Sequence, residues 1–207
     1  MDDEARELFR LATADLREVG AALVLGLCSS SDVIALAADF VAEGQNSPSL
    51  LALASLYASA TSADVVDLSS RVLTEAGVPP LDRDGEEIPL LALRVACRRF
   101  LDGELGLREF SSWAHNSIGH DGPEAAQALV EVDDVLDDLY ATQGITGSSQ
   151  HRAVERRYRE EVAQLAATYL ASTAPRPKHD RWLRSPFNDP RLRRSPSRPQ
   201  RLERRAP

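Results

Sequence analysis

Between Ile88 and Tyr140 apolar residues recur at three- and four-residue steps, with no strand-like alternation. That period commits the stretch to amphipathic helices, each carrying a stripe that another element must cover. The spacing predicts a helix over 88–102 on Leu90, Leu93 or Arg94, Cys97 and Phe100 or Leu101. Arg94, Arg98 and Arg99 then take much of its outer face. Gly103 stops it, because glycine readily takes the left-handed conformation that ends helices. A second helix is expected over 107–118 on Leu107, Phe110, Trp113 or Ala114 and Ile118, ended by Gly119. Trp113 is expected to be largely buried within this half. Asp121 and Glu124 stand at capping-box spacing around Pro123 and predict a third helix. Its seam is Leu129, Val132, Leu136 and Leu139, with Glu131, Asp133, Asp134, Asp137 and Asp138 largely off it.

The N-terminal part follows the same pattern. Helices are expected from about Asp3 to Leu27, Asp32 to Glu43, Pro48 to Ala58 and Ala63 to Ala76. The third of these is built on Leu50, Leu51, Leu53, Ala54 and Tyr57. Gly20 and Gly26 weaken the later turns of the first. Pro79 to Pro89 is polar, acidic and proline-flanked, which marks a loop between two units. The expected fold is therefore all-α. Two small packed helical subdomains lie near 3–77 and 88–141. A linker over 142–150, a C-terminal helix over 151–172 and a disordered, basic Arg/Pro-rich tail over 173–207 follow. The C-terminal helix has a narrow apolar edge, so it either docks by its second half or bridges solvent.

The phrase Glu43-Gly44-Gln45-Asn46-Ser47-Pro48-Ser49-Leu50, with Val66-Asp67-Leu68 and Glu75-Ala76-Gly77-Val78-Pro79, resembles a group of small uncharacterised helical proteins of GC-rich bacteria. The likeness covers roughly the first two-thirds of the chain and rests on caps and core positions. It implies a fold and no activity. The stretch from Phe100 to Phe110 is also similar, over about a dozen residues, to helical bacterial immunity proteins that plug toxin active sites.

Charge is segregated. Residues 173–207 hold 11 basic and 3 acidic residues, a net charge of +8, which leaves the other residues of this −8 chain at −16. Cys28 and Cys97 fall on apolar helical faces and give no metal spacing, so buried free thiols and a reducing cytoplasm are expected. The acidic N-terminus does not read as a signal peptide, and the most apolar run, Val19–Cys28, is too short to span a bilayer. No membrane association is expected.

Chemistry is sparse. Placed on one helix, His115 and His120 would point to different faces, so no metal site is expected there. Ser111 and His115 stand at i and i+4, but no orienting acid or oxyanion site can be placed beside them. Neither a catalytic residue nor a cofactor is assigned, and the chain is read as a non-enzyme. Two candidate surfaces remain. Asp133, Asp134, Asp137 and Asp138 could receive a basic protein partner, or they form a solvated face. Arg181, Trp182, Arg184, Arg191, Arg193 and Arg194 could hold nucleic acid or an acidic surface, through charge and stacking. The leading expectation is a non-catalytic, cytoplasmic protein-binding module. It would be an immunity-like neutraliser acting through its acidic helical surface. The alternative is a nucleic-acid-associated protein that binds through its tail.

Overall fold

The computed structural model describes residues 15–57, 59–82, 85–142 and 148–173, and every regular element among them is a helix. Helix α1 covers residues 15–24. It is followed by α2 (Ser30–Ala42), α3 (Pro48–Ala54), α4 (Ser62–Glu75), α5 (Glu87–Leu101), α6 (Leu107–Ile118), α7 (Glu124–Val130), α8 (Val132–Thr142) and α9 (Ser148–Ser172). Among the described residues no helix is long and apolar enough to cross a membrane. The start of the expected first helix and residues 174–207 lie outside the described residues.

Local chemistry sets the starts of the early helices. Ser29 with Asp32, and Thr61 with Asp64, form reciprocal capping boxes at α2 and α4. Ser47 caps α3 through its bond from the Leu50 N–H, with Pro48 in the first turn. Glu75, at the end of α4, accepts hydrogen bonds from the Ser49 hydroxyl at 2.6 Å and the Ser49 N–H at 3.2 Å. These bonds, the hydroxyl's foremost, hold the Glu75 carboxyl below its ordinary range.

Apolar burial divides into two cores and a seam. Leu16, Val33, Phe40, Leu50, Leu53 and Val65 centre the first, built from α1 to α4. Phe100 and Phe110 centre the second, with Leu93, Leu129, Leu136 and Val162 from α5 and α7–α9 around them. Their rings stack at 4.9 Å, and burying each side chain stabilises by about 1.5–3 kcal/mol. The seam joins Ala21 and Ala22 of α1, Leu73 of α4, Leu81, and Ile88, Ala92 and Val95 of α5. Alanines let the helices approach closely here. At Gly20 an added Cβ would lie 3.1 Å from Leu81 Cδ1, so this glycine gives Leu81 its place.

Several expectations change. Helix α3 stops at Ala54, and Tyr57 is 83% exposed instead of inward. The Ser55 hydroxyl donates to Leu51 O at 2.6 Å, a side-chain bond that competes with the continuing ladder. The predicted third helix of the second half is broken at Glu131 into α7 and α8. On one straight helix Val130 and Val132 would diverge by about 200°. The break lets both be buried in one core. Asp121 is exposed and Pro123 is the N-cap, without a side-chain cap, so the expected capping box does not form. The linker expected over 142–150 is shorter, since α8 includes Thr142 and α9 begins at Ser148. Helix α9 docks: Val162, Ala166 and Tyr169 are buried, and the Tyr169 hydroxyl donates to Leu90 O at 2.9 Å. Thr173, assigned above to the tail, donates to Tyr169 O at 2.7 Å and accepts from Arg94. Trp113 is only partly buried, because it sits at the seam and its indole N–H reaches Leu25 O. Cys97 is buried but Cys28 only partly so.

The largest correction concerns the arginines of α5. Arg94 is buried and donates to Glu18 Oε1 at 2.7 Å, and Arg98 pairs with the other oxygen of the same carboxylate. Arg99 donates to Leu27 O at 2.7 Å. Arg17 returns the tie by reaching Glu87 at 2.7 Å. Four arginines thus tie the two cores across the seam. Glu18→Ala, which strands two guanidiniums, should destabilise the protein by about 3–5 kcal/mol in urea denaturation; a loss near zero would show that the triad does not hold the seam.

Burial pushes the Cys97 thiol from 9.0 up to about 12 and Cys28 up to about 11. Unfolded thiols ionise first, so their contribution to stability is intact below pH 9 and declines as pH rises toward those values. The drop in urea midpoint between about pH 8 and pH 10.5 should therefore shrink in a C28A/C97A variant. An unchanged drop would assign the alkaline loss elsewhere, with buried Tyr169, also raised by burial, the first alternative.

Candidate functional site

Helix α6 presents Arg108, Ser111 and His115 at i, i+3 and i+7, on one face, toward α8. Arg108 donates to Asp137 Oδ1 at 2.6 Å, and its other terminal nitrogen lies 3.2 Å from Asp133 Oδ1. The Ser111 hydroxyl donates to Asp133 Oδ1 at 2.7 Å. His115 Nδ1 stands 3.6 Å from Asp134 Oδ1. A polar stripe on α6 is thus matched to an acidic stripe on α8, beside the Phe100–Phe110 stack that fixes α6 on α5.

The four aspartates, read from sequence as a docking surface or a solvated face, separate into different roles. Asp133 is buried, and its charge is met by Arg108 and Ser111. A buried carboxylate without such donors would cost several kcal/mol. Asp137 is exposed but paired with Arg108. Asp134 is exposed and faces two imidazoles. Asp138 is exposed on the outer side. Ser111 commits its hydroxyl to Asp133, and His115 faces Asp134 instead, so the two do not form a nucleophile–base pair. The tail residues Arg181, Trp182, Arg184, Arg191, Arg193 and Arg194 lie outside the described residues.

The two histidines meet, although their spacing on a single helix would separate them. Helix α6 ends at Ile118, and Gly119 turns the chain with φ of 70°. His120 then folds back, with its ring edge-on to His115 at 5.1 Å. His120 Nε2 lies 3.1 Å from Asp134 Oδ2. One ligand atom from each of His115, His120 and Asp134 fits within 4.8 Å of the others, a group that could hold a metal ion. Spacing arguments fail here because His120 lies beyond the helix end. The sequence signal that finds the group is Gly119 between the histidines, read together with the i, i+3, i+7 stripe.

Comparison with protein-family models, curated proteins and solved structures gives no significant match. The stripe itself supplies a test. Asp133→Ala should lower stability by about 1–3 kcal/mol, because it leaves Ser111 and Arg108 without their buried acceptor. Asp134→Ala, on the exposed side, should stay within about 0.5 kcal/mol. Urea denaturation of both variants checks this, and the reverse order would mean that the wrong aspartate faces the core.

Proposed function

We propose that the protein is a non-catalytic binding module that receives a basic protein partner on the outer edge of α8. The observation that carries this reading is the exposed group formed by Glu131, Asp134, Val135 and Asp138. Glu131, Val135 and Asp138 follow at i, i+4 and i+7, so they share one helical face. Val135 is 44% exposed, an apolar residue set among carboxylates. Such a patch suits a basic surface that carries one apolar side chain. The charge steers the encounter, and the apolar contact is buried on docking. The net charge of −16 outside the tail extends the attraction beyond the patch. An immunity-like neutraliser of a basic protein in the cytoplasm fits this chemistry, since it acts by covering a surface and needs no reacting group.

The experiment is affinity purification of the full chain from the cells that make it, beside an E131K/D138K variant. A specific basic partner should be recovered with the wild type, weaken with added salt and be lost from the variant. D67K, on α4, should keep it. Recovery that ignores both the double reversal and salt would reject the α8 surface. The charge of residues 173–207 supports a second reading as a nucleic-acid arm. Nonspecific DNA bound at low salt by the full chain, but not by a chain cut after Thr173, would favour that reading instead.

A further inference from the structure

We propose that His115, His120 and Asp134 form a site for one divalent transition-metal ion of the zinc class. Two imidazole nitrogens and a carboxylate oxygen suit zinc and its neighbours better than magnesium or calcium, which prefer oxygen alone. In a tetrahedral zinc site each ligand atom lies about 2.0–2.1 Å from the ion, which puts neighbouring ligand atoms about 3.3 Å apart. His115 Nδ1 lies 3.6 Å from Asp134 Oδ1 and His120 Nε2 lies 3.1 Å from Asp134 Oδ2, so each imidazole is already near that spacing from one oxygen of the carboxylate. His120 is 52% exposed on its side chain, so the group is open to an ion arriving from solvent. Three protein ligands leave one position for water or a partner's group.

A second observation points the same way. His115 Nδ1 is buried and has no hydrogen-bond partner, and 3.6 Å to Asp134 is too long for one. A buried ring nitrogen without a hydrogen bond leaves a lone pair open to a cation in the neutral tautomer that exposes it, and a metal ion is the cation that the neighbouring ligands suit. The backbone holds the arrangement in advance. At Gly122 an added Cβ would come 2.6 Å from Ile118 Cγ2 and 2.8 Å from Ile118 O, so only glycine lets this turn close on the end of α6. The Gln127 side-chain amide donates to Gly119 O at 3.2 Å and to Gly122 O at 3.0 Å, which pins both ends of the turn that carries His120. Arg108 is engaged by Asp133 and Asp137, whereas the two imidazoles face Asp134.

The test uses the full chain, stripped with a chelator and titrated with zinc chloride near neutral pH. Calorimetry should give one equivalent, and NMR should show changes at the imidazoles of His115 and His120. H120Q and D134N, both at exposed positions, should each weaken zinc binding by at least about 10-fold, while circular dichroism stays that of the wild type. D67N, on α4, should bind as the wild type does. Affinity should fall on acidification, because only neutral imidazoles ligate. Failure to bind zinc, or binding that is unchanged in H120Q and D134N, would leave a plain histidine–aspartate contact and overturn the proposal. Neither result depends on whether α8 docks a protein.

Discussion

The carboxylate of Glu18 is the point on which the two cores are joined. It sits buried on α1 and is held by Arg94 and Arg98 from α5, residues more than seventy positions away. Taking three charges out of water costs several kcal/mol per ion, so the triad is weak evidence for net stability. Its effect is on register. Only one placement of α1 on α5 satisfies the charges, and that placement brings Ala21 and Ala22 against Ala92 and Val95. A shifted seam would leave two guanidiniums unpaired, a penalty that apolar contact between alanines could not offset. The neighbouring ties fall just past α1. The carbonyls of Ala21, Ala22 and Leu23 accept from the N–H groups that follow them. Beyond the helix, Leu25 O receives the Trp113 indole, and Leu27 O receives Arg99. The second half of the chain therefore holds the turn that follows α1.

A similar matching of charge holds α6 on α8. Arg108 pairs with buried Asp133 and exposed Asp137, and Ser111 donates to Asp133. At the outer edge lies a small exposed acidic group around Val135, and at the end of α6 a histidine pair faces Asp134. The two surfaces share Asp134, so a cation there would lower the negative charge offered to a basic partner. Metal and protein would then compete through one carboxylate.

Helix identity was legible because glycines, serines and prolines punctuate a strong three-to-four period. Ser29, Ser47 and Thr61 cap the helices that follow them, and Gly103 and Gly119 take the positive φ that their placement after helices suggests. Tertiary pairing was not legible. Arg94 and Arg98 look like a solvated face when α5 is read alone, because charge favours water unless a distant partner exists. Glu18 is that partner, and periodicity carries no information about it. The break at Glu131 was hidden for a related reason. A heptad seam through Leu129, Val132 and Leu136 is satisfied locally by one straight helix, and only the demand to bury Val130 as well bends it. The histidine pair failed in the other direction. Its spacing was read as helical, although Gly119 already marked where the helix had to stop.

Trp113 lies where α6 meets the end of α1, with its N–H on Leu25 O and its ring against both the seam and the second core. The chain has two tryptophans, and the other is Trp182 in the Arg-rich tail. The indole at the seam is thus a built-in optical gauge of whether the two halves touch. Parting them would expose it to water and shift its emission to longer wavelength. The helices of each half would stay intact through that event, and so would the far-ultraviolet signal. Parting of the two halves and global melting would then carry different spectroscopic signatures in the unlabelled protein.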